Sequence, residues 1–251
     1  MVKETGLQID LNSDLGEHPN SNLDEQIMPF LSSCNIACGG HAGNENSVEH
    51  AVMLARQFNV AIGAHPGYPD RQNFGRTVIA LSSDALAESL VGQINMVHRA
   101  CKAVDRPLHH IKPHGALYNE AAKNEKLSDL ICQVIKSVSP ASKLYGLAHS
   151  ITERVAYQHG LDFIAEGFAD RRYEADKTLM SRKKEGSVLT KEADVLKQVE
   201  EMVLNRRVYA NGWTSLEAST ICLHSDTKGA VNLAKKIRNH LEKKRVHITA
   251  V

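Results

Sequence analysis

Val60-Ala61-Ile62-Gly63-Ala64-His65-Pro66-Gly67 (60–67) is an apolar run that stops on a histidine, which the following proline holds extended. A run this short reads as a buried strand. It lies between two helical patterns. In 46–58, Val48, Ala51, Val52, Ala55 and Phe58 share one face. On the other side, Ser82-Ser83-Asp84 offers N-caps for a long helix reaching about Val104.

The same rhythm extends in both directions. Strands are predicted over 7–12, 34–38, 108–111, 143–148, 161–165 and 219–223, and helices over 24–31, 128–138, 150–159, 191–205 and 226–243. Residues 246–251 read as a last strand or a tail. Strands that alternate with helices pair in parallel, and seven or eight right-handed crossovers close a barrel or build a long open sheet. The expected fold class is α/β: an irregular (β/α) barrel of about seven parallel strands, as one domain over 1–251. The polar stretch 168–190 is too long for an ordinary connection and reads as a lid or binding loop.

The bulk properties exclude several partners. The 251 residues carry 30 basic and 29 acidic side chains, a formal net charge of +1. Such a balance argues against nucleic acid or an anionic membrane as the main partner. No apolar run reaches the roughly 18–20 residues of a membrane span, and no signal peptide is visible at Met1–Leu7. Cys34, Cys38, Cys101, Cys132 and Cys222 have irregular spacing, which predicts buried free thiols and a reducing, cytoplasmic location.

In parallel α/β architectures ligands bind at the carboxyl ends of the strands. The residues just after each apolar run are therefore the informative ones. The first run leads into Asp10, Asn12, Asp14 and Glu17; the second into Gly39-Gly40-His41; the third into His65-Pro66-Gly67. The fourth delivers Lys112-Pro113-His114-Gly115, the fifth His149, the sixth Glu166, Asp170 and Arg171, and the seventh His224-Ser225-Asp226. Each has a bland reading: a turn for Asp10 or the two glycines, an ion-pair cluster for Glu166, Asp170 and Arg171, an N-cap for Asp226. Titratable groups at the same end of every strand still point to chemistry. Asp and His at several strand ends could hold a divalent metal such as magnesium, although their spacing is not diagnostic. Phosphate-loop, dinucleotide and nucleophile-elbow motifs are absent.

Six segments in chain order resemble the LamB/YcsF family: IDLNSDLGE (9–17), NIACGGHAGN (35–44), GAHPGYPD with NFGR (63–70, 73–76), KPHGALYN (112–119), EGFADRRY (166–173) and ICLHSD (221–226). Asn44 and Ser225 stand where the family usually has Asp and Gly. The resemblance implies a barrel similar to those of glycoside hydrolases and polysaccharide deacetylases. It also implies ATP-dependent hydrolysis of 5-oxoproline to glutamate, together with two partner subunits, B and C; ATP is bound with or by those partners. On that reading Asp14, Glu17, His41, His65, Lys112 and His114 are the catalytic candidates. Lys112 and Arg171 are candidates for phosphate charge, and Asp14, Glu17, His41 or His65 for the base. The N–H groups of Gly39, Gly40 and Gly115 are candidates for an oxyanion. Asp10, Asn12, Glu166, Asp170, His224 and Asp226 complete the expected binding set. Two other readings stay open: a metal-dependent deacetylase or amidohydrolase acting alone, and a scaffold component with the chemistry elsewhere. Self-association is compatible with all three.

Overall fold

The computed structural model describes residues 6–18 and 22–251. In chain order the elements are β1 (Gln8–Leu15), α1 (Leu23–Ile27) with a 3-10 turn at Met28–Phe30, β2 (Ser33–Ala37), α2 (Glu45–Gln57), β3 (Ala61–His65), α3 (Ser83–Ala103), β4 (His110–Ile111), α4 (Gly115–Ala121), α5 (Glu125–Val138), β5 (Lys143–Leu147), α6 (Ile151–Gln158), β6 (Phe163–Phe168), α7 (Glu192–Asn205), β7 (Arg207–Tyr209), β8 (Trp213–Ser215), β9 (Thr220–Cys222), α8 (Ala230–Lys243) and β10 (His247–Ile248). The strands β1-β2-β3-β4-β5-β6-β9 pair in parallel in that order, and β9 returns to β1 through Asp10↔Thr220 and Asn12↔Cys222. The ring is a closed seven-stranded barrel. β10 pairs with the first residues of β1, and β7 and β8 form a separate antiparallel hairpin.

Local chemistry explains the helices. Asn44, Ser82, Asn124 and Ser150 each stand just before a helix and accept a hydrogen bond from a first-turn backbone N–H. Asn44 makes a reciprocal capping box with Ser47. An Asp-to-Asn exchange there swaps one good cap for another. The helices bury their apolar stripes against the barrel; on α2, Val48, Ala51, Val52 and Ala55 are fully buried. All five cysteines are buried and free. Among the described residues no helix is long and apolar enough to cross a membrane.

The inside of the barrel is not apolar. Asp10, Asn12 and Asp14, two residues apart on β1, all sit in its buried interior. Asp10 accepts from the hydroxyls of Ser32 (2.6 Å), Ser33 (2.7 Å), Thr220 (2.6 Å) and Tyr145 (3.0 Å). Its two oxygens are saturated by the barrel wall, so Asp10 is a structural residue and not the binding group expected of it. His110 stacks on Tyr145 with ring centroids 3.8 Å apart and its Nε2 lies 2.7 Å from Asn35 Oδ1. Asn35 Nδ2 in turn donates to Asn12 Oδ1 and to Asp14 Oδ1, both at 2.8 Å. Buried polar groups are tolerated when each finds a partner. Here the partners form a continuous network that fixes the residues above it.

Several boundaries differ from expectation. β1 runs on to Leu15, because Asn12 and Asp14 point into the lumen as apolar residues would elsewhere. The last helix begins at Ala230 after Gly229, so Asp226 does not cap it. The stretch 168–190 is a loop tied by antiparallel bridges Arg171↔Val188 and Tyr173↔Leu179.

Candidate active site at the carboxyl end of the barrel

Six residues expected at the strand ends meet there: Asp14, Glu17, His41, His65, Lys112 and His114. All six are less than a tenth exposed. Glu166 joins them from β6.

Lys112 is the electrostatic centre. Its Nζ lies 2.8 Å from Glu166 Oε1, 3.0 Å from Asp14 Oδ1, 3.3 Å from Asn12 Oδ1 and 3.2 Å from Cys222 Sγ. Burial alone would discharge the ammonium. The carboxylates of Asp14 and Glu166, with the Cys222 sulfur beside the amine, outweigh it and hold the amine well above its ordinary value. Asn12 supports the Glu166 carboxylate, donating to its Oε1 at 2.9 Å, while its own carbonyl accepts from Lys112. Asp14 is likewise held well below the usual carboxylate range: burial works against ionisation, but His65 and Lys112 prevail. So enclosed, Lys112 has no free donor face for a phosphate; its expected role as a phosphate cation does not fit where it lies.

The imidazoles stand beside this ion cluster. His41 and His114 stack with centroids 3.5 Å apart and planes within 3°. His65 meets both edge-on. His41 Nε2 lies 3.0 Å from Glu17 Oε1, and His65 Nε2 lies 3.3 Å from Asp14 Oδ2. Burial, with the neighbouring His65, pushes His41 down to about 2, and burial with His41 pushes His114 well below its ordinary value. Glu17 moves the opposite way. Burial and the charge of Asp14 raise its carboxyl to about 7. Carboxyl and imidazole groups of perturbed acidity in one enclosed place mark a candidate site for chemistry. Glu17, His41, His65 and His114 each offer a metal-ligand atom within 4.8 Å of the others, as do Asp14, Cys222 and His224.

Other expected residues lie around this centre. His224 Nδ1 donates to Asp170 Oδ1 at 2.8 Å, and Thr227 also bonds Asp170, which ties the end of β6 to the loop after β9. Asp226 pairs with Arg76 at 2.6 Å and with Arg182 at 3.6 Å. Arg171 donates to the Met180 carbonyl, while burial and the nearby Arg182 lower it to about 10. Gly39 donates its N–H to the Ala42 carbonyl at 2.7 Å and has φ 101°, so it is a turn residue and not an oxyanion donor. Gly40 leaves no room for a Cβ, which would come within 2.4 Å of Gln93 Oε1. Gly115 opens α4 beside the carbonyl of Gly75.

Residues that the strand-end argument missed come from loops and helix faces. Gln93 on α3 clamps Gly67 in both directions, accepting its N–H at 3.0 Å and donating to its carbonyl at 2.9 Å. The Phe74 ring packs edge-on to His41 and His114, and its carbonyl lies 3.0 Å from His114 Nε2. Tyr118 is buried without a hydroxyl partner in hydrogen-bonding geometry, and burial with the charge of Glu166 holds its phenol well above the ordinary range. Arg76 and Arg182 complete a cationic rim with Arg171; the NFGR segment contained the first of them.

The LamB/YcsF family model matches residues 9–251. The chain is 43% identical over 245 residues to a protein of Histophilus somni (strain 129Pt) named as the A subunit of 5-oxoprolinase, covering 97% of this chain and 98% of that one. Among solved structures it is similar to the lactam utilization protein of Thermus thermophilus, with a TM-score of 0.91, 35% identity, and 98% and 100% of the two chains covered. A chitinase from Flavobacterium johnsoniae, at 9% identity, a TM-score of 0.50 and 96% of each chain covered, shares the fold alone. Matched from the second residue of its first strand to its last residue, the chain belongs to the LamB/YcsF family.

Proposed function

We propose that this chain is the A subunit of an ATP-dependent 5-oxoprolinase, in which it receives the lactam and works with partner subunits B and C in the cytoplasm. One observation carries the reading. A sealed cluster of carboxyl groups, imidazoles and one ammonium lies at the ligand-binding end of the barrel, in a chain that matches a protein named as a 5-oxoprolinase A subunit along nearly its whole length.

The chemistry fits such a site. A lactam is a stable amide whose oxygen is a poor leaving group. Transfer of the ATP γ-phosphoryl group to that oxygen, with release of ADP, activates the ring carbon. Water then adds to the carbon, losing a proton. The carbon–nitrogen bond breaks as the nitrogen gains a proton, which leaves an acyl phosphate. A second water releases phosphate and glutamate. These steps need a proton acceptor, a proton donor and positive charge near the phosphoryl group. The Glu17–imidazole cluster supplies the proton transfers. The rim of Arg76, Arg171 and Arg182 supplies the positive charge, because Lys112 is committed to Asp14 and Glu166.

The test is reconstitution. The full chain combined with both partner subunits is expected to form glutamate from 5-oxoproline with one ADP per turnover, and His65→Ala is expected to abolish this. Glutamate formation without ATP would overturn the proposal. So would ATP-independent hydrolysis of an acetamide by the chain alone.

A further inference from the structure

His65 and His114 meet through the wrong pair of atoms for two neutral rings. His65 Nδ1 lies 2.8 Å from the Lys112 carbonyl oxygen, and His114 Nε2 lies 3.0 Å from the Phe74 carbonyl oxygen. A carbonyl only accepts, so each of these nitrogens carries its ring's proton. The remaining nitrogens, His65 Nε2 and His114 Nδ1, present lone pairs, and they are 2.9 Å apart. Lone pairs at that distance call for a positive charge, either a shared proton or a metal ion.

Three observations favour the metal. First, the lone pairs have company. Glu17 Oε1 lies 3.6 Å from His114 Nδ1 and 3.0 Å from His41 Nε2. Donor atoms bound tetrahedrally to one ion at about 2.0–2.2 Å stand about 3.3–3.6 Å from one another, a shift of a few tenths of an ångström from these spacings. Second, the charge is unbalanced: Asp14 and Glu166 already share the ammonium of Lys112, and the third buried carboxyl group, Glu17, faces the imidazoles of His41 and His114. Third, the two carbonyls lock the rings of His65 and His114 in the tautomers that ligation requires, the usual second layer of support around metal-binding histidines.

We infer that Glu17, His41, His65 and His114 form a binding site for a divalent transition-metal ion of the zinc type. Three imidazoles and a carboxylate suit zinc, cobalt or nickel; magnesium and calcium prefer oxygen ligands. The other candidate set is already committed, Asp14 and Cys222 to Lys112 and His224 to Asp170. With these four side chains as ligands and a fifth position left to water, an ion held here would acidify that water, which would then carry the proton transfers assigned to this cluster. The binding site itself does not depend on the substrate assignment.

The experiment uses the isolated full-length chain, stripped with chelator and titrated with Co²⁺. One ion per chain is expected, with a visible absorption band that Zn²⁺ abolishes. His65→Gln and His114→Gln are each expected to weaken uptake by about 100-fold or more, with circular dichroism as the check on folding. If a variant does not fold, imidazole ¹⁵N resonances of the wild type decide: Zn²⁺ is expected to shift His65 and His114 together and leave His149 unchanged. Failure to bind one ion per chain would overturn the inference, as would uptake that survives in folded forms of both variants or Zn²⁺ leaving the His65 and His114 resonances in place. Metal uptake is read without substrate or ATP, so its failure is distinct from failure of the oxoprolinase assay.

Discussion

Lys112 Nζ lies 2.8 Å from Glu166 Oε1 in the centre of the barrel, with Asp14 on its other side. Neither partner of this buried pair can be removed without stranding the other. Breaking such a pair costs about 3–5 kcal/mol. Lys112→Met is therefore expected to destabilise the chain by that amount, measured by urea unfolding at neutral pH. A midpoint equal to that of the wild type would show that the ammonium does not hold the two carboxylates.

Asp170 predicts an acid limit of stability. Burial would raise its carboxyl, but His224, with the hydrogen bonds from His224 and Thr227, keeps it below the ordinary 3.8. A carboxyl depressed in the folded state adds stability that is complete above its unfolded value and lost as pH falls through the folded one. Asp170→Asn is expected to be less stable than the wild type at neutral pH, by an amount constant down to about pH 4 and shrinking below it. Unfolding midpoints from pH 7 to 3 check this; a gap that widens in acid would reverse the sign of the argument.

The same polar interior explains what could and could not be read from the sequence. The strand–helix rhythm was legible because buried strands such as Ala61–His65 are apolar runs and the helices carry N-caps such as Asn44 and Ser82. The convergence of Asp14, His41, His65 and His114 was legible from their common position after strands. The length of β1 was not, because its lumenal residues are Asp10, Asn12 and Asp14. Nothing in their spacing separates the saturated Asp10 from the site residue Asp14; that depends on Ser32, Ser33, Tyr145 and Thr220 from other elements. α4 hides behind Gly115, directly after a strand-end motif. The β7–β8 hairpin has strands of three residues, but its Asn211-Gly212 turn, with positive φ at both positions, was a usable signal.

Two glycines should respond in opposite ways to alanine. A Cβ on Gly63 would come within 2.1 Å of His110 Nε2, and His110 has no room to move between Tyr145 and Asn35. Gly63→Ala is expected to cost about 1–3 kcal/mol or more, as overpacked cores do. Gly92, inside α3, has nothing within 4 Å of such a Cβ. Gly92→Ala is expected to stabilise by up to about 1 kcal/mol, the helix-propensity difference. Thermal unfolding of the two variants side by side tests both statements, and destabilisation of equal size would contradict them.

The arginine rim makes a prediction about the nucleotide. Arg76 and Arg182 both reach Asp226, and their side chains remain 40% and 30% exposed, whereas Lys112 is enclosed. An exposed guanidinium can meet an arriving phosphate in bidentate fashion; an ammonium held by two carboxylates cannot. A hydrogen bond to a charged group is worth about 1.5–3 kcal/mol, which corresponds to roughly 10–100-fold in binding. In the reconstituted complex, Arg76→Ala and Arg182→Ala are expected to raise the KM for ATP by about that factor and to change the KM for 5-oxoproline much less. An effect confined to 5-oxoproline would move the rim to the substrate. No effect on either would leave the phosphate charge to be met by the partner subunits.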